Sequence, residues 1–233
     1  MGFGDELMLN CDGPAPIEVP MHSAPLSVDW DGDGEVDVLV GSQYSNTIGM
    51  PWDGIFFFRN IGSNEKPFFD RPLRLHARGV EHELRWYSKT PVTDESGFIS
   101  EYYLRFKLFD WFGTGRLDVI TISLADEYIK IYRNTGVRDH NGLPVLELAQ
   151  KIPQPKCVKH TGYPGIRILD WFGDGRPTLI VSCTGDAVFA LPRPERSLVL
   201  TTRPGGFFWR TAIRWRATGR SICATGRAKG DVI

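Results

Sequence analysis

Short runs of alternating apolar and polar residues recur along the chain, and they predict β-strands. The segments APLSV, YLRFKLF and GIRIL each lead into a loop that begins with Asp-Trp. Each loop is followed by a β-branched run, of which VDVLVGS is the first. β-Branched residues fit the pleated surface of a sheet well. We therefore expect an all-β, mostly antiparallel fold with almost no long helix before residue 193.

The three loops belong to an internal repeat with the frame D-W-x-G-x-G. The copies are DWDGDGEVDVLVGS from Asp29, DWFGTGRLDVITIS from Asp110 and DWFGDGRPTLIVSC from Asp170. In the first two copies a third strand ends in Arg-Asn-x-Gly, as in IFFFRNIGS and IKIYRNTGV, and a fourth follows in PFFDRPLRL and LPVLELAQKI. Each module is thus predicted to be a four-stranded blade of a β-propeller. Tryptophans are expected to pack between adjacent blades at Trp30, Trp111 and Trp171.

The repeat also suggests a division of the chain. The predicted blade modules span residues 22–76, 102–152 and 163–191. Residues 1–21 resemble an outer strand and are assigned to a preceding or closing blade. Propellers close with about 4–8 blades, so we expect residues 1–192 to be an incomplete propeller of about three blades. The remaining blades would come from a longer chain or from an oligomer.

From residue 193 to residue 233 the repeat pattern disappears, Arg becomes frequent, and Asp and Glu become scarce. This atypical basic tail is predicted to lie outside the fold. Three interpretations remain open for it: a shifted reading frame, a disordered end, and a basic arm that contacts nucleic acid or a membrane.

The first loop has the composition of a calcium site. Calcium prefers six to eight oxygen ligands, which several carboxylates and a backbone carbonyl on a tight loop can supply. The carboxylates at loop positions one, three, five and nine belong to Asp29, Asp31, Asp33 and Asp37, and the carbonyl at position seven belongs to Glu35. An EF-hand would need a Glu at position twelve and a following helix, but position twelve is Val40 and a strand follows.

The second and third loops have lost part of this set. The second keeps Asp110, Thr114 and Asp118 but has Phe112 at position three. The third keeps Asp170 and Asp174 but has Phe172 at position three and Thr178 at position nine. With fewer carboxylates, these loops are expected to bind calcium weakly or to serve only as hydrogen-bonded turns.

The frame D-x-D-G-D-G-x-x-D, followed by an apolar strand and an aromatic strand ending in N-x-G, resembles the FG-GAP/VCBS repeat. This repeat occurs in integrin α-subunit propellers, microbial surface proteins and carbohydrate-active enzymes, and the resemblance covers about residues 21–190. It implies a seven-bladed propeller with Ca²⁺ in the hairpin loops. The implied function is an extracellular or cell-surface, non-catalytic scaffold that binds protein or carbohydrate. The alternative is a fragment of a polysaccharide lyase or glycoside hydrolase on the same propeller.

Composition and charge indicate which classes of partner the chain is expected to bind. The chain has 233 residues, 42% hydrophobic and 24% charged, with a formal net charge of -1, which is typical of a soluble globular protein. We expect no membrane span, because no stretch approaches the roughly 20 apolar residues needed. The start of the chain shows no signal peptide. Nucleic-acid binding is disfavoured because the body of the chain has no basic stripe. The four cysteines, far apart, do not form a metal motif, and the sequence leaves their pairing open.

The sequence contains no P-loop, G-x-S-x-G or H-E-x-x-H motif. The residue types of a general base and a charge neutraliser do occur in the stretch 76–101, which is predicted to be irregular. They are His76, His82, Arg85, Tyr87 and Lys89. The following linker holds His160 and Tyr163. No spacing selects these residues, so the favoured interpretation is a solvated linker, and the question of catalysis stays open.

Overall fold

The structure is a computed structural model that describes residues 23–42, 54–80, 96–99, 104–124, 126–155, 164–182 and 188–191, together with the backbone of 213–217 and 220–224. These residues form β-strands joined by turns, and this part of the chain contains no helix. The predicted all-β class is therefore confirmed. No helix among the described residues is long and apolar enough to cross a membrane.

The first module folds as one antiparallel sheet. Its strands are β1 (Ala24–Val28), β2 (Asp37–Ser42), β3 (Gly54–Phe58) and β4 (Leu73–Arg74). They pair in chain order, β1-β2-β3-β4. The fourth strand is short, and it pairs Leu73 with Phe57. The four strands predicted for residues 22–76 are therefore present.

The second sheet is larger than predicted. Six strands form it: β5 (His76–Arg78), β6 (Ser96–Phe98), β7 (Arg105–Phe109), β8 (Asp118–Ile122), β9 (Tyr128–Arg138) and β10 (Pro144–Pro153). Their order is β6-β5-β10-β9-β8-β7. Strands β7 to β10 are the four predicted for residues 102–152. Strand β5 adds to the outer strand β10 in parallel, with Ala77 opposite Leu146, and β6 pairs antiparallel with β5.

The prediction that residues 76–101 are irregular is wrong at both ends of that stretch. Strand β5 forms because the edge of β10 offers unpaired backbone groups, and because Ala77 becomes buried there. Three residues are too few to show an alternating pattern in the sequence. Strand β6 then forms by pairing with β5, a long-range contact that local composition does not encode.

The third module contributes β11 (Gly165–Leu169), β12 (Thr178–Ser182) and β13 (Val188–Leu191), which pair in that order. In the described part of the chain this sheet has three strands rather than the four predicted for each module. A separate hairpin joins β14 (Ile213–Ala217) to β15 (Arg220–Ala224). It lies in the basic tail, and these two strands pair only with each other among the described strands.

The three Asp-Trp loops connect equivalent hairpins. Each hairpin pairs the last residue before the loop with the residue nine positions later. These pairs are Val28 with Asp37, Phe109 with Asp118, and Leu169 with Thr178. All the sheets are open, and none closes on itself. The ungapped alignment of the three loops is therefore confirmed at the level of backbone register.

The sheets pack against each other in chain order. One buried cluster joins the first two sheets, and Leu39, Phe57 and Tyr132 are among its members. A second cluster joins the second and third sheets through residues such as Ile120, Ile131 and Leu179. Sheets bury their apolar faces in this way because each has hydrophobic residues on the face it presents to its neighbour. A third cluster on the first sheet includes Phe56, Phe58 and Phe69.

The three tryptophans have equivalent backbone positions but different surroundings. Trp30 belongs to the cluster between the first two sheets, and Trp111 belongs to the cluster between the second and third. Trp171 is 44% exposed. Packing between adjacent sheets is therefore confirmed for Trp30 and Trp111. Within the described part of the chain it is not observed for Trp171.

Candidate functional site

Each Asp-Trp loop is built around its first aspartate. In the first loop, Oδ1 of Asp29 accepts the backbone N–H of Gly32 at 2.7 Å, and Oδ2 accepts that of Gly34 at 3.1 Å. Asp110 accepts the backbone N–H groups of Thr114 and Gly115, and Asp170 accepts those of Asp174 and Gly175, so the bond to the second loop glycine is the one shared by all three loops. Gly32 and Gly34 have φ values of 75° and 96°, which other residues rarely adopt. The first aspartate therefore holds the turn through hydrogen bonds to its own carboxylate.

The aspartate at position nine joins the loop to the third strand of the sheet. Asp37 is completely buried, and its Oδ2 accepts the backbone N–H of Trp30 at 2.9 Å. Its Oδ1 accepts the backbone N–H of Asn60, also at 2.9 Å. Asp118 makes the same pair of contacts with Trp111 and Asn134, at 2.8 and 2.9 Å. In the first two modules this carboxylate is thus an internal clamp between a loop and a strand.

Burial raises the pKa of both clamp carboxylates. Desolvation raises the pKa of Asp37 above its usual value, and the N–H groups of Asn60 and Trp30 oppose that shift without cancelling it. The pKa of Asp118 is raised for the same reason, against the N–H groups of Asn134, Phe112 and Trp111. Burial disfavours the charged carboxylate. A nearby cation would favour that charged form.

Three of the five predicted ligands of the first loop lie together. Carboxylate oxygens of Asp29, Asp31 and Asp37 all lie within 4.8 Å of one another. The side chain of Asp31 is only 8% exposed, and its Oδ1 is buried without a hydrogen-bond partner. A buried carboxylate oxygen without a partner is unfavourable. A cation bound by the triad would satisfy this oxygen.

The other two predicted ligands lie outside this triad. Asp33 is exposed, and its Oδ1 accepts the backbone N–H of Glu35 at 2.9 Å. Glu35 was assigned through its carbonyl, and its carboxylate oxygen Oε2 is buried without a partner.

Arg59, which the sequence reasoning did not assign to the site, contacts the acidic triad. Its Nε donates to Oδ2 of Asp31 at 2.6 Å, and its Nη2 donates to the carbonyl of Asn141 at 2.6 Å. In the second module, Arg133 places its guanidinium 4.2 Å from the ring centroid of Phe112. Arginine thus covers loop position three in both modules, whether that position is an aspartate or an aromatic residue.

Asn64 is a second contributor that the sequence reasoning missed. Its Oδ1 accepts the backbone N–H of Val36 at 2.7 Å, and its Nδ2 donates to the carbonyl of Gly34 at 3.2 Å. These bonds hold the end of the first loop from the β3–β4 turn. Asn64 lies just beyond the repeated Arg-Asn-x-Gly of residues 59–62, and that motif was the available signal for Arg59, because it follows the Asp loop in both modules. Local sequence reading treated it only as a turn.

The other two loops do not gather carboxylates. Among the described residues, the triad is the only group of three His, Cys, Asp or Glu side chains close enough to share a metal ion. In the second loop Asp110 is occupied by backbone N–H groups, as is Asp118, and the N–H of Thr114 is one of the donors to Asp110. In the third loop Asp174 accepts the backbone N–H of Arg176. The absence of a carboxylate cluster in these two loops agrees with their sequences, which contain fewer aspartates than the first loop.

Several residues considered for catalysis cannot be placed. His82, Arg85, Tyr87 and Lys89 lie outside the described residues, as do His160 and Tyr163. His76 is the first residue of β5. Of the cysteines, only the backbone of Cys223 is described, in β15.

Comparison with known proteins adds no relative. A scan against models of protein families finds no match to this chain. A search of curated proteins also finds no match.

Proposed function

We propose that the chain is a calcium-binding scaffold of the FG-GAP/VCBS propeller type, with one calcium ion held by the loop at residues 29–37. The observation that carries this proposal is the triad of Asp29, Asp31 and Asp37, with oxygens within 4.8 Å of one another. Like charges at that distance repel strongly when they are partly buried. One guanidinium, from Arg59, offsets only part of this charge.

The donor set favours a hard cation. All the ligands are oxygens, which suit calcium and magnesium rather than softer transition metals. Calcium accepts more ligands and a less regular geometry than magnesium does. A loop that offers carboxylates from three aspartates, a fourth at exposed Asp33 and a carbonyl at Glu35 therefore fits calcium better. Each carboxylate oxygen can accept an N–H and still bind an ion, because it has two lone pairs.

The propeller assignment is supported by how the sheets are arranged. Adjacent sheets share buried clusters in chain order, and each module presents its Asp-Trp loop between its first two strands. The first strands of the second and third modules, β7 and β11, are in contact. Neighbouring blades of a propeller meet in this way along their innermost strands. Propellers commonly bind ligands through loops, so the proposed role is to bind a protein or carbohydrate partner on a rim stiffened by calcium.

The proposal is tested by calorimetric titration of calcium into the wild type, Asp31→Ala and Asp174→Ala. We expect one binding site in the wild type, most of it lost in Asp31→Ala, and little change in Asp174→Ala, which alters the third loop. Calcium at a hundredfold excess over Kd should also raise the free energy of unfolding by about 2.7 kcal/mol. Absence of calcium heat in the wild type, or equal heat in Asp31→Ala, would contradict the assignment. Magnesium titrated in parallel should bind more weakly.

A further inference from the structure

A small cavity lies where the first strands of the three sheets begin. Its volume is 260 Å³, and its wall includes Ala24 of β1, Arg105 of β7 and Gly165 of β11. Ala24 and the aspartate of the first loop stand at opposite ends of β1. A five-residue strand separates them by about 15 Å at roughly 3.3 Å per residue. The cavity is therefore a different place from the acidic triad.

Among the described residues of the cavity wall, the charged ones are all cations: Arg105, Lys107 and Arg167. The strands β1, β7 and β11 read APLSV, RFKLF and GIRIL, so none of them carries a carboxylate. On β8, which pairs with β7, the acidic residue is Asp118, whose oxygens already accept backbone N–H groups. The described part of the wall thus has positive charge and no acidic residue.

Two of these cations, Lys107 and Arg167, are not neutralised by ion pairs within the described part of the chain. Neither Lys107 nor Arg167 forms an ion pair with a described carboxylate. Arg105 donates to the carbonyl of Leu104 at 3.3 Å. Partial burial lowers the pKa of Lys107, and the nearby charge of Arg167 lowers it further. Unlike the Asp-Arg contact of the first loop, this arrangement brings like charges together.

The remaining wall can complete a small binding site. Phe106 and Ile166 are buried and form an apolar part of the wall, while Ser182 has a hydroxyl that can donate a hydrogen bond. Sites for drug-sized ligands occupy about 300–1,000 Å³, so this cavity fits a smaller molecule. Guanidinium and ammonium groups form strong, charge-assisted hydrogen bonds with phosphate and carboxylate oxygens.

We propose that this cavity binds a small oxyanion, a phosphate or carboxylate group, between Lys107 and Arg167. The anion offsets the repulsion between these two cations. Phosphate and carboxylate groups share this chemistry, and they can be carried by a free ion or by an acidic sugar. The site does not depend on the calcium loop, because the two lie at opposite ends of β1.

The test is calorimetric titration with inorganic phosphate and, separately, with a uronic acid, at constant ionic strength and without calcium. Matched variants are Lys107→Met and Arg167→Gln, with Lys151→Met and Arg78→Gln as controls. The control residues are exposed, on β10 and β5, outside the cavity wall. We expect saturable binding that is weakened about 10-fold or more by either cavity variant, since a hydrogen bond to a charged group typically contributes that much.

The results distinguish acidic carbohydrate from phosphorylated ligands, and they can also contradict the proposed site. If the uronic acid binds more tightly than phosphate and than its own neutral parent sugar, the site is assigned to acidic carbohydrate. If phosphate binds more tightly than the uronic acid, the site is assigned to phosphorylated ligands. Two results would overturn the proposal. One is the absence of saturable binding for both probes. The other is an equal loss in Lys151→Met or Arg78→Gln, which would indicate a general charge effect.

Discussion

Replacing the buried clamp Asp118 by Ala should destabilise the second module strongly. Asp118 is completely buried, and it accepts backbone N–H groups from Trp111 at 2.8 Å, Phe112 at 3.3 Å and Asn134 at 2.9 Å. Alanine leaves these donors without an acceptor, and each unsatisfied buried group costs about 1–3 kcal/mol. The long bond to Phe112 counts least. Removing a buried charge offsets part of the loss, so we expect a net destabilisation of about 3 kcal/mol.

The assay is urea unfolding followed by tryptophan fluorescence, with Glu65→Ala as the control. Glu65 is exposed, and a surface substitution of this kind usually changes stability by less than about 0.5 kcal/mol. If Asp118→Ala changes the free energy of unfolding as little as Glu65→Ala does, the clamp role of Asp118 is refuted. Asp118→Asn should be intermediate, because its amide keeps one acceptor oxygen but presents a donor to another N–H group.

Acidification gives an independent check with a definite sign. Because burial raises the pKa of Asp118 in the folded protein, the folded state binds its proton more readily than the unfolded state does. The wild type should therefore gain stability relative to Asp118→Ala as the pH falls through the folded pKa, and the gain should be complete below the usual value near 3.8. If the stability difference between the wild type and Asp118→Ala instead becomes smaller as the pH falls, the N–H groups lower the pKa of Asp118 more than desolvation raises it.

Two further predictions follow from the contacts. Arg59→Met should tighten calcium binding about 5-fold, because it removes a cation whose contact with Asp31 contributes roughly 1 kcal/mol and competes with calcium. Arg133→Met is the control and should leave calcium binding unchanged, because Arg133 lies over Phe112. Titration calorimetry measures both, and weaker binding in Arg59→Met would show that the guanidinium supports the loop instead. Leu179→Ala should lower the free energy of unfolding by about 2–5 kcal/mol, because its fully buried side chain joins the second and third sheets. A loss below about 1 kcal/mol in urea unfolding would contradict that packing.

The sequence by itself determined the strands that lie next to an Asp-Trp loop. Their alternating or β-branched residues, and the shared frame of the loops, are local signals, so the three hairpins and their register could be derived from them. The acidic character of the first loop was equally visible, because it depends on four aspartates within nine residues. Such features need no knowledge of what packs against the loop.

The tertiary structure decided which groups meet. Strand β5 pairs with β10 although about 70 residues of chain separate them, and Arg59 reaches Asp31 from the end of β3. It also brought carboxylate oxygens of Asp29, Asp31 and Asp37 within 4.8 Å of one another and gave Asp37 and Asp118 their second role as buried clamps. The cations Lys107 and Arg167 come together only where two sheets meet. None of these contacts has a local signature, because burial and long-range pairing depend on the packing of whole sheets rather than on neighbouring residues.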